Sequence, residues 1–143
     1  MTPSLVEGEA RGEVLVLDEP LSLWGGLDPV TGRIVDVHHP QAGEIIAGRI
    51  LVMPSGRGSS SSSTVLAEAI RLGTAPAAIV LGEPDPILAL GAIVARELYG
   101  HTIPILVGDV GCATGDDVTV DRSGRACSKL AVARRERPGP RRP

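Results

Sequence analysis

The segment from residue 50 to residue 72 constrains the fold more than any other part of the sequence. It begins with ILVM, continues with PSGRGSSSSS and ends with TVLAEAIRL. The first four residues are typical of a short buried strand, whereas residues 64–72 place their apolar side chains on one helical face. A strand, a loop rich in glycine and serine, and a helix therefore follow one another, as in an α/β fold.

The flanking sequence predicts further strands and a second helix. Asp85 and Pro86 are typical of the cap and first position of a helix, which we expect to run to about Leu98 and to end at Gly100. The helix over residues 64–72 should stop at Gly73. Strands are predicted at residues 12–17, 33–37, 77–81 and 103–107, with a small β pair at 117–120 and 126–130. This order indicates an α/β fold with a partly parallel central sheet and a β-rich flank.

Composition excludes several classes of function. The chain has 143 residues, which fits one domain, and its aromatic content of 1% leaves almost nothing for stacking on nucleic-acid bases. No uncharged apolar run approaches the roughly 18 residues of a membrane span, and the first residues lack the pattern of a secretory signal. We therefore expect a cytoplasmic protein that binds neither a membrane nor a nucleic acid.

The two cysteines and the C-terminal residues give two further expectations. Cys112 and Cys127 do not form a paired metal motif, so we expect two ordinary thiols and no zinc or iron–sulfur site held by this chain alone. Residues 131–143 contain five Arg, one Glu and three Pro. We predict that these residues are a disordered tail on an acidic body formed by residues 1–130.

The loop after the strand at residues 50–53 is the most informative candidate site. Glycine at positions 56 and 58 allows a tight turn, and the cation of Arg57, the serine hydroxyls and the start of the helix would all favour an anion. We expect the first-turn amides of the helix to be free to bind it. The spacings of a mononucleotide P-loop and of GxGxxG are absent. Capping alone is the structural alternative.

Ser59 is the serine best placed to react, because it directly follows the Gly-Arg-Gly turn. A serine hydroxyl needs a cationic or helix-terminal environment before it can act as a base or nucleophile. The G-x-S-x-G elbow of serine hydrolases is absent, which argues against a triad.

Other polar residues are expected to have structural roles. His38 and His39 are adjacent and should face different directions, so we expect hydrogen bonding in a loop rather than metal ligation. His101 precedes a strand and should lie at the surface. Glu83 and Asp85 follow a strand, where α/β sheets tend to bind ligands, but capping is a sufficient role for Asp85.

Several separated motifs together resemble the small subunit, or swivel domain, of the aconitase X family. They are WGGLDP at residues 24–29, TGRI at 31–34, HP at 39–40, GRGS at 56–59 and APAA at 75–78. The resemblance covers residues 12–121 and implies a swivelling β/β/α domain that closes over a large subunit carrying an iron–sulfur cluster. Residues 1–130 would then form the swivel domain. No cofactor would be bound by this chain itself.

The resemblance also implies an activity and the residues that carry it. Members are hydro-lyases that dehydrate cis-3-hydroxy-L-proline or mevalonate 5-phosphate, with a serine that removes the proton next to the substrate carboxylate. That serine maps onto Ser59, with Gly56, Arg57 and Gly58 shaping the turn and Ser63 matching a second serine that binds substrate. The hydroxyproline substrate is favoured, and the long loop at residues 24–48 is expected to dock on the large subunit.

Two other classes of function stay open at this point. The chain could be an anion-binding module without chemistry, which predicts tight binding of a carboxylate or phosphate by the chain alone. It could also be an interaction protein that uses its Arg-rich tail, which predicts salt-sensitive binding to nucleic acid.

Overall fold

A computed structural model describes residues 4–109, 111–124 and the backbone of residues 126–128. The predicted tail at residues 131–143, the end of the last predicted strand and the thiol of Cys127 lie outside the described residues. The strands are β1 (Ser4–Val6), β2 (Ala10–Val16), β3 (Leu27–Asp28), β4 (Arg33–Ile34), β5 (Ile50–Met53), β6 (Ala78–Leu81), β7 (Ile105–Val107), β8 (Asp117–Val120) and β9 (Ala126–Ser128). The helices are α1 (Leu23–Gly26), α2 (Ser62–Leu72) and α3 (Pro86–Tyr99).

Seven of these strands form one mixed sheet in the order β1-β7-β6-β5-β2-β8-β9. Strands β2, β5, β6 and β7 are parallel, whereas β1, β8 and β9 pair antiparallel at the two sides. The helices α2 and α3 pack against each other and share an apolar core with the sheet. The predicted α/β fold with a partly parallel sheet and a β-rich flank is confirmed.

The core lies on two sides of the central strands because alternate side chains of a strand point to opposite faces. In β5, Leu51 and Met53 belong to the larger cluster, which includes the helices, while Ile50 belongs to the smaller cluster. The smaller cluster also contains Val118 and Val120 of β8. The buried apolar side chains are aliphatic, as the composition requires.

Most predicted elements are present, with shifted boundaries. Strand β1 was not predicted, and its three residues are stabilised by pairing with the distant strand β7. The strand predicted at residues 33–37 is confined to Arg33–Ile34, and Val35 and Val37 are exposed instead. Helix α2 begins at Ser62, two residues earlier than predicted, because the serines before it already wind into a turn. Gly73 and Gly100 end their helices as predicted.

His39 takes the hydrogen-bonding role in a loop that was expected of it. His39 is buried, its Nε2 lies 3.0 Å from the carbonyl oxygen of Glu19, and its Nδ1 accepts a hydrogen bond from the amide of Gln41 at 3.0 Å. These two contacts hold the ring in the loop, with one ring nitrogen against each backbone group. His38 and His101 are exposed.

Candidate functional site

The candidate site lies where β5 and β6 end. These neighbouring strands are parallel, with Met53 paired with Leu81, so the loops that follow them meet at one edge of the sheet. This edge is where α/β sheets commonly bind ligands. The loops form a cleft of about 120 Å³ lined by Leu21, Gly56, Arg57, Gly58, Ser59, Ser62, Asp85, Ile87 and Leu88. Four of the five residues that the sequence predicted for the site line this one cleft.

Ser59 is half-buried at the wall of the cleft. Its Oγ accepts a hydrogen bond from the backbone amide of Ser61 at 3.1 Å, which fixes the direction of the side chain. The hydroxyl proton of Ser59 is not used in that bond. An amide that donates to Oγ also stabilises the oxygen when it carries negative charge, so this contact favours loss of the proton.

The first-turn amides of α2 differ from the expectation. The amides of Ser62 and Ser63 donate to the carbonyl oxygens of Ser59 and Ser60 at 3.0 and 3.2 Å, and that of Thr64 donates to Ser61 at 3.1 Å. The expectation of free amides there was wrong, because the serine run folds into a turn of i to i+3 hydrogen bonds that leads into the helix.

Arg57 and Gly58 form the outer part of the loop. The guanidinium of Arg57 is exposed, and no carboxylate of the described residues lies within ion-pair distance of it. Gly58 has a φ of +94°, and a Cβ at this position would lie 3.0 Å from Oγ of Ser22. The turn therefore requires glycine, and it leaves a cation beside Ser59 that is not neutralised.

Asp85 forms the opposite wall of the cleft and also caps α3. Its Oδ1 accepts hydrogen bonds from the amides of Ile87 at 2.9 Å and Leu88 at 3.2 Å. Its Oδ2 occupies the space that a Cβ on Gly56 would need. The predicted cap is confirmed, and the close approach explains why residue 56 is a glycine. Glu83 is exposed and does not line the cleft.

Ser62 lines the cleft, whereas Ser63, which the resemblance predicted for substrate binding, does not. Ser63 is half-buried, its Oγ donates to the carbonyl oxygen of Ser60 at 2.8 Å, and it lines a separate groove between α2 and α3. Ser62 is buried, lines the cleft, and accepts a hydrogen bond from the amide of Trp24 at 3.3 Å. Sequence reasoning missed Ser62 because five consecutive serines look alike until the first residue of the helix is known.

Apolar side chains are exposed on the long connection that runs past the cleft. Trp24 is 59% exposed, and Val35, Val37 and Ile45 of the same connection are also exposed. Trp24 lies next to the cleft through its hydrogen bond to Ser62. Such a patch is typical of an interaction surface.

The described residues offer no site for a metal and no membrane-spanning helix. They contain no group of three or more His, Cys, Asp or Glu side chains that could hold a metal ion. Cys112 is a free, half-buried thiol. No helix in the part of the chain that the structure describes is long and apolar enough to cross a membrane.

Comparison with known proteins gives consistent matches. The model of the aconitase X swivel domain family matches residues 2–127. The chain is 55% identical over 102 residues to a cis-3-hydroxy-L-proline dehydratase of Pseudomonas aeruginosa, covering 71% of this chain but 18% of that protein. It is 49% identical over 121 residues to the phosphomevalonate dehydratase small subunit of Methanopyrus kandleri, covering 84% of this chain and 88% of the relative.

A solved structure agrees with the sequence matches. The crystal structure of Thermococcus kodakaraensis aconitase X in its holo-form superposes with a TM-score of 0.78 at 40% identity, covering 87% of this chain and 92% of that chain. The match therefore extends over nearly the whole of that solved chain. By contrast, the match spans less than a fifth of the P. aeruginosa hydroxyproline dehydratase.

Proposed function

Because the chain belongs to the aconitase X swivel domain family, we propose that it is the small subunit of a hydro-lyase whose active site is shared with a large subunit. The observation that carries the proposal is the Ser59 hydroxyl, which lies in an open cleft beside the free cation of Arg57 and accepts a hydrogen bond from the amide of Ser61. This arrangement suits a base that removes a proton from an anionic substrate.

In the proposed reaction, Ser59 removes the proton on the carbon next to the substrate carboxylate. Arg57 binds that carboxylate, which draws negative charge away from the carbon as the proton leaves. The Ser61 amide stabilises the Ser59 alkoxide before the transfer, and the proton then resides on Oγ. The electron pair of the broken C–H bond forms the double bond while the C–O bond to the neighbouring hydroxyl breaks. The departing hydroxide takes up the proton held on Oγ, so water is released and the Ser59 alkoxide is restored.

The remaining loop residues would hold the base in position. Gly56 and Gly58 allow the turn that brings Arg57 and Ser59 to the cleft. Ser63 was expected to bind substrate, and its hydrogen bond to the carbonyl oxygen of Ser60 gives it a means of fixing the loop instead of touching the substrate. We therefore propose that Ser63 acts on substrate binding through the loop.

The cleft is too small to be a complete active site. Its volume is about 120 Å³, whereas ligand pockets are commonly about 300–1,000 Å³. A second surface closing over it would enlarge the enclosed site and exclude water. The described residues provide no ligand set for an iron–sulfur cluster, so we assign the cluster to the large subunit, where it would act as the Lewis acid for the departing hydroxyl.

Cis-3-hydroxy-L-proline is the substrate we favour, and mevalonate 5-phosphate is the alternative. The hydroxyproline enzyme of P. aeruginosa shares 55% identity with this chain, against 49% for the M. kandleri small subunit. The free thiol of Cys112, together with the iron–sulfur cluster that we assign to the large subunit, supports a cytoplasmic location as part of this proposal.

The test of this function uses the chain assembled with its large subunit. We expect dehydration of cis-3-hydroxy-L-proline and a loss of about 10²–10⁴-fold in kcat for Ser59→Ala, the range for a general base. Exchange of the substrate α-proton with deuterated water should be lost in the same variant. Ser60→Ala is the matched control, because Ser60 is exposed on the same loop and does not line the cleft. Full activity of Ser59→Ala would overturn the assignment of the base.

The alternative of a module that binds anions without catalysing a reaction has less support. That reading relied on free amides at the start of α2, and the amides of Ser62 to Thr64 donate within the turn. Calorimetry of the chain alone with a carboxylate or with inorganic phosphate distinguishes the two, since a subunit with half of a site should bind neither tightly.

A further inference from the structure

Asp85 carries two oxygens with different surroundings. Oδ1 is occupied by the amides of Ile87 and Leu88, as the cap of α3 requires. Oδ2 receives no hydrogen bond from any donor in the described residues and lies against Gly56 at the wall of the cleft. A cap needs only the first oxygen, and a serine or asparagine would provide it. The carboxylate therefore has a second acceptor that no donor of the described residues uses, in a side chain that lines the cleft.

Arg57 gives the same cleft a charge of the opposite sign. No ion pair joins Arg57 to Asp85 or to another carboxylate of the described residues. Both side chains are therefore available to a ligand: Arg57 offers a positive charge and Asp85 a negative charge. A zwitterion, with a carboxylate for Arg57 and a cationic nitrogen for Asp85, matches this pair better than any ligand of one sign.

From this pairing we propose that Asp85 determines the class of substrate: its Oδ2 accepts a hydrogen bond from the cationic nitrogen of an amino or imino acid. The proposal rests on the proposed function, since it takes the cleft at Ser59 as the substrate site. A phosphate ester carries about two negative charges and no cation, so Asp85 would repel it. Closure by the large subunit would remove water from the cleft and thereby strengthen this repulsion. The substrate class is then a cyclic imino acid, not a phosphate ester.

The variant that isolates this role is Asp85→Asn. Asparagine keeps an oxygen for the amides of Ile87 and Leu88, so the cap of α3 persists, while the negative charge is removed. Asp85→Ser is a second variant, because serine also caps helices but its shorter side chain has no group in the place of Oδ2. Thermal unfolding of both variants reports whether the cap is retained.

The measurement compares two inhibitors on the assembled enzyme. L-Proline carries the cationic nitrogen, whereas cyclopentanecarboxylate has the same ring and carboxylate without it. We expect the inhibition constant of L-proline to rise by about tenfold to a hundredfold in Asp85→Asn, the range for a lost hydrogen bond to a charged group. That of cyclopentanecarboxylate should change less than about twofold. An equal change for the two inhibitors, or none, would overturn the proposal.

Direct binding of the same two inhibitors tests the role of Asp85 independently of the role of Ser59. Calorimetric binding of the two inhibitors needs no catalysis, so it can be repeated in the Ser59→Ala assembly. If Ser59→Ala keeps its activity but Asp85→Asn selectively weakens L-proline binding, the base assignment fails and the role of Asp85 stands. If Asp85→Asn lowers only the melting temperature, Asp85 is a cap and nothing more.

Discussion

The backbone amide of Trp24 donates a hydrogen bond to Oγ of Ser62 at 3.3 Å, which joins the backbone of this exposed tryptophan to the first residue of α2. Ser62 is only 4% exposed, so this bond is largely shielded from water. The proposed docking surface and the proposed catalytic loop are therefore in direct contact. A partner that moves Trp24 would also act on the cleft.

Removing the Ser62 hydroxyl should destabilise the chain. In Ser62→Ala the Trp24 amide loses its acceptor, and we expect the free energy of unfolding to fall by about 1 kcal/mol. Urea denaturation followed by circular dichroism measures the change. Ser60→Ala is the matched control, because Ser60 is exposed, and it should change stability by less than about 0.5 kcal/mol. Equal stability of the two variants would argue against the hydrogen bond.

Trp24 should be an anchor for the large subunit. Buried aromatic residues dominate interface energies, so Trp24→Ala is expected to raise the dissociation constant of the two subunits by at least about tenfold. Analytical ultracentrifugation or calorimetry measures it. Leu98→Ala offers a control, since Leu98 is 67% exposed on α3 and does not line the cleft. Similar losses in the two variants would place the interface elsewhere.

Gly56→Ala should disturb the cleft through Asp85. A Cβ at residue 56 would overlap Oδ2 of Asp85, so we expect a loss of about 1–3 kcal/mol in the free energy of unfolding, as for overpacking in a core. The double variant Gly56→Ala with Asp85→Ser should recover part of the loss, because serine is shorter and still caps α3. A double-mutant cycle with no coupling would mean that the two residues do not meet.

The thiol of Cys112 should be slow to react. Burial first, and the nearby negative charge of Asp116 second, raise the pKa of Cys112 above its usual value. Its contribution to stability is full below the pKa of the unfolded thiol and is lost as the pH rises through the higher pKa of the folded state. Alkylation by iodoacetamide near pH 8 should be slower in the folded chain than in urea, with peptide mapping to separate Cys127. Equal rates would contradict the direction of the shift.

Local patterns predicted the helices and most strands because their signals lie within a few residues. Asp85, Pro86 and Gly100 mark α3 by capping chemistry alone, and the aliphatic run of β5 needs no distant partner to be recognised. Strand β1 was missed because it is three residues long and depends on pairing with β7. The strand expected at residues 33–37 was too long because alternation in sequence does not guarantee a partner for each residue.

The residues of the candidate site likewise fall into those that local sequence indicates and those that only tertiary structure brings to the cleft. The Gly-Arg-Gly turn directs attention to Ser59 because glycine, a cation and a hydroxyl are adjacent in the chain. Ser62 could not be assigned to the site, since its position depends on where α2 begins. Asp85 was placed at a strand end where ligands tend to bind, but capping was the preferred role, and its contact with the turn at Gly56 depends on how two parallel strands are paired. The capping role of Asp85 was predicted, whereas its second oxygen was not.

The order of residues alone determined that strands and helices alternate, that the core is aliphatic, and that one loop concentrates hydroxyls beside an arginine, because each depends on composition or short spacing. Tertiary structure decided which groups share the cleft. Parallel pairing of β5 with β6 brings the turn at Gly56 against Asp85, although the two are separated by a helix and a strand. Such a contact arises from the packing of whole elements, and no local pattern encodes it.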